Sequence, residues 1–156
     1  MSKLLFAARD LSDTDRLGSA LAQVLPASSV ISLIGTLGAG KTYLVQALAS
    51  ALGVARESVV SPTFVLCQEY RGSKKIVHCD AYRLRDEDEF LELGPQEWFD
   101  SDGLTLIEWA DRVDGCLPAE RLEIRIEVLS DDARQFEMHA IGESMVAALE
   151  ALRAAI

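Results

Sequence analysis

Residues 35–42 read Gly-Thr-Leu-Gly-Ala-Gly-Lys-Thr, which is a complete Gly-x-x-x-x-Gly-Lys-Thr phosphate-binding loop. The stretch follows an apolar run at residues 30–34 that is typical of a buried parallel strand, and it precedes a helix-like run that begins near Lys41. In this setting the backbone N–H groups of the loop and the N-terminus of the helix bind phosphate oxygens. The stretch therefore predicts an α/β fold that binds a nucleoside triphosphate.

The residue types within the loop predict separate roles. Gly35 and Gly40 let the backbone turn tightly, Lys41 is expected to reach the β- and γ-phosphates, and the hydroxyl of Thr42 is expected to bind Mg²⁺. The predicted phosphate-binding residues are Gly35, Leu37, Gly38, Ala39, Gly40, Lys41 and Thr42.

Size and charge limit what surrounds the loop. The chain has 156 residues, 49% of them hydrophobic, which predicts one domain over residues 1–156 with an ample core. The formal net charge of −10 argues against a broad basic face for nucleic acid, so contact with RNA would need a partner protein.

Cysteine usage and hydropathy bear on the compartment. The three cysteines, an odd number without a Cys-x-x-Cys pair, predict reduced thiols. No run of 18 apolar residues and no signal-peptide pattern occurs, so we expect a soluble cytoplasmic protein with no membrane contact.

The remaining chain predicts alternating helices and strands. The fold class is α/β, a P-loop NTPase fold with three layers, a mixed and mainly parallel central sheet, and a C-terminal antiparallel hairpin. Helices are predicted at residues 12–25, with Ser12 and Asp15 approximating a capping box, and at 41–52, 86–93 (stopped by Gly94-Pro95) and 143–156. Strands are predicted at 30–34 and 104–107, with hairpins at 63–70/74–79 and 122–128/136–140.

Two acids end predicted strands. Asp80 follows an apolar run at residues 76–79, and Glu108 follows 104–107, which places both at the strand ends where α/β sheets bind ligands. Either acid fits the role of the carboxylate that lies next to Mg²⁺ in a P-loop protein.

Three further features are open to two interpretations each. Thr63 in Ser61-Pro62-Thr63 fits either a switch segment that senses the γ-phosphate or the start of a strand. Trp109 fits stacking on a base or a partner, or core packing. His78 and His139 are interpreted as strand residues and not as ligands.

Four segments together resemble the bacterial TsaE (YjeE) family. They are, in chain order, residues 35–42, Ser61-Pro62-Thr63-Phe64, Asp80-Ala81-Tyr82-Arg83-Leu84 and Glu108-Trp109, and the resemblance spans nearly the whole chain. It implies a small P-loop ATPase required for threonylcarbamoyl modification of adenosine 37 in tRNAs that read ANN codons. Proteins of this family work with TsaB and TsaD, so tRNA would be contacted indirectly through those partners.

The resemblance also implies roles for individual residues. Thr42 and Glu108 would be magnesium ligands, Lys41 the phosphate clamp, and Asp80 a second essential acid near the metal. Thr63 falls in the switch-like segment. The nucleotide base would lie against Leu11, at the start of the first helix, and Arg134, in the last hairpin, with Trp109 beside the site. The implied cofactors are ATP and Mg²⁺.

Other functions remain open from the residues alone. A P-loop kinase acting on a nucleotide or small molecule shares the loop but usually has an arginine-rich lid, and Arg83, Arg85 and Arg112 are scattered. A GTPase is disfavoured because no Asn-Lys-x-Asp segment occurs. A non-catalytic assembly module gated by ATP would show partner binding that persists when hydrolysis is blocked.

Overall fold

The computed structural model of the chain describes residues 2–62 and 66–156. Within them the strands are β1 (Ser2–Ala8), β2 (Val30–Ile34), β3 (Cys67–Arg71), β4 (Lys75–Asp80), β5 (Leu104–Glu108), β6 (Arg121–Val128) and β7 (Arg134–Ile141). The α-helices are α1 (Leu11–Val24), α2 (Lys41–Ala51), α3 (Glu87–Leu91), α4 (Pro95–Asp100) and α5 (Glu143–Ala155), and 3₁₀ turns lie at Arg56–Ser58 and Ala110–Cys116.

The described strands form a mixed sheet in the order β1-β7-β6-β2-β5-β4-β3. Strands β6, β2, β5 and β4 run parallel to one another, whereas β1, β7 and β3 pair antiparallel with their neighbours. The mixed sheet and the C-terminal hairpin β6–β7 confirm the predicted fold class. The parallel part is confined to strands β6, β2, β5 and β4, so the carboxyl ends of these four strands lie at the same end of the sheet.

Helices cover both faces of the sheet, as the predicted three layers require. One face, with Ile31 and Leu106, packs against apolar residues of α1, α2 and α5. The opposite face, with Val77 and Ile107, packs against Phe90 of α3 and against the Ala110–Cys116 turn. Strands β2, β4 and β5 are thus buried on both sides, which agrees with their near-continuous apolar sequences, whereas burial alternates along β6.

Strand β1 was not predicted. Residues 2–8 show only a short apolar patch in the sequence, but the structure pairs them with β7, with Phe6 opposite Phe136. The partner strand lies in the last quarter of the chain, far from residues 2–8, so no local pattern indicated the pairing.

The structure corrects the predicted start of one helix and adds a helix, α4, that was not predicted. The cap of α1 is Asp10, whose Oδ1 accepts the backbone N–H of Asp13 at 3.0 Å, so the capping box of Ser12 and Asp15 was wrong. Asp15 instead accepts Arg56 Nη2 at 2.7 Å. Pro95 does not simply end the preceding helix, because it occupies the first turn of α4, where its fixed φ is favourable.

The hairpin of β3 and β4 corrects the cysteine prediction. Its register places Cys67 opposite Cys79, and the two are joined as a disulfide, so the expectation of three reduced thiols was wrong for this pair. Cys116 is free, and burial raises the pKa of its thiol. The pairing follows from the strand register, which the spacing of the cysteines did not reveal. Residues 63–65, predicted to begin this hairpin, lie outside the described residues.

Helix α1 approaches α2 closely at Gly18. A Cβ added there would lie 2.5 Å from the Cβ of Ala47 and 2.8 Å from its carbonyl carbon. We expect Gly18→Ala to lower the free energy of unfolding by about 1–3 kcal/mol, because overpacking outweighs the roughly 1 kcal/mol by which alanine favours a helix.

Urea unfolding measures this difference, with Ser19→Ala on the exposed side of α1 as the control. The control is expected to leave stability unchanged or slightly higher. An unchanged or increased stability of Gly18→Ala would show that α1 and α2 are not in tight contact there.

Candidate nucleotide-binding site

The phosphate-binding loop connects β2 to α2, as the sequence predicted. Its turn is closed by the N–H of Ala39, which donates to the carbonyl of Thr36 at 3.0 Å. Gly40 caps α2 with φ 106°, a left-handed conformation that glycine adopts without strain. A Cβ at Gly35 would lie 3.0 Å from the carbonyl oxygen of Ile126, so the loop also needs a small residue where it leaves the sheet.

Lys41 lies inside the loop and is only 4% exposed. Its Nζ donates to the carbonyl of Gly35 at 2.7 Å and to that of Thr36 at 2.9 Å. The same ammonium lies 4.1 Å from the centre of the Trp109 ring, within range of a cation–π interaction. Burial lowers the pKa of Lys41, while the carboxylates of Glu108, Asp80 and Asp111 act in the opposite direction.

Glu108 and Asp80 lie side by side at the end of the parallel sheet. They are the last residues of β5 and β4 and are directly opposite in the register. Each is 3% exposed. Glu108 Oε2 accepts the hydroxyl of Thr42 at 2.8 Å, which links the strand end to the first turn of α2. The structure thus brings both predicted acids to the edge of the sheet where the loop begins.

Asp80 makes a different set of contacts. Its Oδ2 accepts the hydroxyl of Ser61 at 3.1 Å, and its Oδ1 accepts the backbone N–H of Tyr82 at 2.8 Å. Glu108 therefore faces the phosphate-binding loop through Thr42, whereas Asp80 holds the segment that leads into residues 63–65. Thr63, the predicted switch residue, lies outside the described residues.

A cavity of about 320 Å³ opens where these groups meet. Its lining consists of Leu37, Gly38, Ala39, Gly40, Lys41, Thr42, Tyr43, Ser61, Asp80, Tyr82, Glu108 and Trp109. It combines a helix N-terminus, a lysine and two carboxylates, the groups that a nucleoside triphosphate with a divalent cation requires.

The oxygen donors at the cavity fit Mg²⁺. This cation prefers hard oxygen ligands and is usually held by one or two protein groups together with substrate phosphates and water. The hydroxyl of Thr42 and the carboxylates of Glu108 and Asp80 supply such donors. Within residues 2–62 and 66–156, no cluster of three or more His, Cys, Asp or Glu side chains is arranged to bind a metal ion.

Trp109 occupies a left-handed backbone position, φ 57°, directly after Glu108. Its ring lies 4.8 Å from that of Tyr82, centre to centre. The guanidinium of Arg112 lies 5.3 Å from the Tyr82 ring. The ring contacts Lys41 and Tyr82 and also lines the cavity, so both interpretations from the sequence stay open. Tyr82 and Arg112 were not predicted as neighbours of the site.

The two residues that the family resemblance assigned to the base lie at one side of the loop. Arg134 begins β7, and its Nε donates to the carbonyl of Ala39 at 2.9 Å, so it contacts the phosphate-binding loop directly. Leu11 begins α1 and is 56% exposed, and Ala8, three residues earlier, pairs with Arg134 in the sheet. Neither Leu11 nor Arg134 lines the 320 Å³ cavity.

His78 belongs to the site although sequence reasoning placed it only in a strand. It is fully buried in β4, and its Nε2 lies 2.5 Å from Glu108 Oε2. The position two residues before Asp80 on the same strand was the available signal, because such residues share a face of the sheet. His139 is a strand residue of β7, as predicted.

Residues 8–136 match the family model described as "Threonylcarbamoyl adenosine biosynthesis protein TsaE". The chain belongs to the TsaE family. The resemblance inferred from four segments of sequence is thereby confirmed. Within the residues that the structure describes, no helix is long and apolar enough to cross a membrane.

Relatives from distant bacteria agree with this family assignment. The tRNA threonylcarbamoyladenosine biosynthesis protein TsaE of Treponema pallidum is 39% identical over 127 residues, which is 81% of this chain and 93% of that one. The Bacillus subtilis TsaE protein is 37% identical over 143 residues, 91% of this chain and 89% of the relative. The Synechocystis TsaE protein reaches 47% identity over 109 residues, 67% and 68% of the two chains.

A solved structure supports the fold. The crystal structure of YdiB from Bacillus subtilis superposes with a TM-score of 0.83 at 30% identity, covering 98% of this chain and 95% of that one. The fold described above is therefore shared with that structure.

Proposed function

We propose that this chain is an ATP-binding and ATP-hydrolysing component of the machinery that makes N6-threonylcarbamoyladenosine at position 37 of tRNA, and that it acts with TsaB and TsaD. One observation carries the proposal: in a chain of the TsaE family, Lys41, Thr42 and Glu108 meet at one cavity at the carboxyl edge of the parallel sheet. P-loop hydrolysis needs these three groups in one place.

The chain's own groups account for phosphate binding. We assign phosphate binding to backbone N–H groups of the loop and of the first turn of α2, where the helix dipole adds attraction. The ammonium of Lys41, held by two carbonyls of the loop, exchanges those partners for β- and γ-phosphate oxygens when ATP binds. The exchange is favourable because phosphate oxygens carry charge and carbonyls do not.

The acids account for hydrolysis. Mg²⁺, when bound, polarises the terminal phosphate as a Lewis acid. In this proposal Thr42 and Glu108 hold the cation, and Asp80 fixes Ser61 so that the following segment, with Thr63, orients the attacking water. We propose that the side chains of Arg134, Leu11 and Trp109 contact the base and the ribose of the nucleotide.

Partners complete the activity in this proposal. The acidic surface, with net charge −10, is poorly suited to grip tRNA directly, so we assign that contact to TsaB and TsaD. Exposed apolar side chains stand at the rim of the cavity, with Leu37 81% exposed and Tyr82 40% exposed. A protein surface that covers these side chains would also exclude water from the phosphates.

Hydrolysis assays test the proposal. We expect slow Mg²⁺-dependent hydrolysis of ATP by the purified chain, faster hydrolysis with TsaB, TsaD and substrate tRNA, and little hydrolysis of GTP. Phosphoryl transfer to an added acceptor would indicate a kinase instead. Nucleotide-dependent binding to TsaB and TsaD without any hydrolysis would contradict the ATPase activity. It would indicate that the chain is a non-catalytic assembly module gated by ATP.

A further inference from the structure

The buried imidazole of His78 contacts Glu108, the acid that we propose as a ligand of Mg²⁺. In the parallel register of β4 and β5, His78 is opposite Leu106 and Asp80 is opposite Glu108. His78 and Glu108 are therefore diagonal neighbours on the same face of the sheet, and their side chains meet at 2.5 Å between Nε2 and Oε2.

Glu108 Oε2 receives two hydrogen bonds. One comes from Thr42 Oγ1 at 2.8 Å, and the other involves His78 Nε2. When Glu108 is ionised it only accepts, and the imidazole then donates the hydrogen bond from Nε2. Among the residues that the structure describes, His78 Nδ1 has no hydrogen-bond partner, so the side chain makes its polar contact through Glu108.

The two bonds to Glu108 differ in what happens when the cation binds. Thr42 would itself be a ligand of the cation, so its hydroxyl would be shared between the cation and the carboxylate. His78 lies in the interior of the sheet and keeps its position. Its contact with Glu108 would therefore hold the rotamer of that side chain without taking part in metal binding.

We propose that His78 is a positioning residue that orients Glu108 toward Mg²⁺ and so determines how much the cation strengthens nucleotide binding. The inference rests on the proposed function, since it assigns a role within the same site. Groups that hydrogen-bond to metal-binding side chains typically change metal affinity by about 10–100-fold when removed.

The chain contains a matched pair for comparison. On β7, His139 Nε2 lies 2.7 Å from Glu137 Oε2, so the chemistry is the same. This pair is partly exposed, at 20% and 32%, and three strands, β6, β2 and β5, separate β7 from β4. Removing His139 therefore reports the general effect of losing such a hydrogen bond.

The test measures the dissociation constant of a non-hydrolysable ATP analogue with and without Mg²⁺. The ratio of the two constants is the enhancement due to the cation. We expect His78→Leu to reduce that enhancement about tenfold while the constant without Mg²⁺ stays within about twofold of wild type. His78→Gln, whose amide N–H reaches the place of Nε2, should restore most of it, and His139→Leu should match wild type.

One further variant keeps the test valid if His78→Leu does not fold. If thermal unfolding shows that His78→Leu is not folded, His78→Asn takes its place, because its amide is too short to reach Glu108 but remains polar. An Mg²⁺ enhancement equal to wild type in folded His78→Leu or His78→Asn overturns the inference. An equal weakening with and without Mg²⁺ also overturns it, because that would be a packing effect.

The measurements distinguish a failure of the proposed function from a failure of the inference about His78. Absence of ATP hydrolysis by the wild type rejects the ATPase, whereas the Mg²⁺ enhancement of analogue binding still decides the role of His78. A wild-type chain whose analogue binding does not respond to Mg²⁺ overturns the inference itself.

Discussion

We expect Lys41→Met to weaken ATP binding by about 100-fold. The ammonium makes charge-assisted hydrogen bonds to phosphate, and losing such bonds costs about 2–3 kcal/mol, with 1.4 kcal/mol per factor of ten in affinity. Methionine keeps most of the side-chain stem, so contact with the Trp109 ring is largely retained and the loss reports the charge. Isothermal titration with ATP measures the affinity.

Lys74→Met is the matched control. Lys74 lies between β3 and β4, and its Nζ donates to the carbonyl of Leu25 at 3.0 Å, away from the nucleotide cavity. We expect its ATP affinity to equal that of the wild type. Unchanged affinity in Lys41→Met, with the fold intact by circular dichroism, would remove Lys41 from the role of phosphate clamp.

We expect Glu108→Gln to reduce ATP hydrolysis by about 100-fold or more while ATP affinity changes by less than about tenfold. The amide has the size of the carboxylate and can still accept hydrogen bonds from Thr42 and His78, but it carries no charge to support the cation in the transition state. Steady-state hydrolysis and nucleotide titration separate the two effects.

Glu137→Gln provides the comparison for this variant. Glu137 is also bonded to a histidine, and the bond from His139 lowers the pKa of its carboxyl, yet it lies on β7 outside the nucleotide cavity. Its hydrolysis rate should equal that of the wild type. A wild-type hydrolysis rate in Glu108→Gln would contradict the assignment of Glu108 as the acid next to Mg²⁺. That role would then pass to Asp80.

The main parts of the site could be predicted because they depend on local patterns and one topological rule. The loop at residues 35–42 has fixed glycine, lysine and threonine positions, and β2 is a short apolar run before it. Asp80 and Glu108 each follow an apolar run, and parallel strands present their carboxyl ends at one edge of the sheet. These properties are readable without knowing which strands are neighbours.

The features that were missed depend on neighbours in space. Strand β1 pairs with β7 across nearly the whole chain, and Cys67 meets Cys79 because of the hairpin register. His78 contacts Glu108 because β4 lies beside β5 in that particular register. A strand pattern shows which face a side chain is on and does not show which residue lies opposite.

Helix ends were misplaced for a smaller reason. Asp10 and Ser12 are both good capping residues only two positions apart, and their intrinsic preferences differ by too little to choose between them. The end of β1 at Ala8 leaves Asp10 at the position where α1 begins. The neighbouring strand therefore decides the choice.

The proposed function is tested most directly by the yield of N6-threonylcarbamoyladenosine in tRNA over repeated reaction cycles. Purified TsaB and TsaD, supplied with their substrates and ATP, would be assayed with the wild-type chain, with Glu108→Gln, and without the chain. We expect many modified tRNAs per TsaD molecule with the wild type, and at most about one with Glu108→Gln or without the chain. Equal yields in the three reactions would contradict the proposed function.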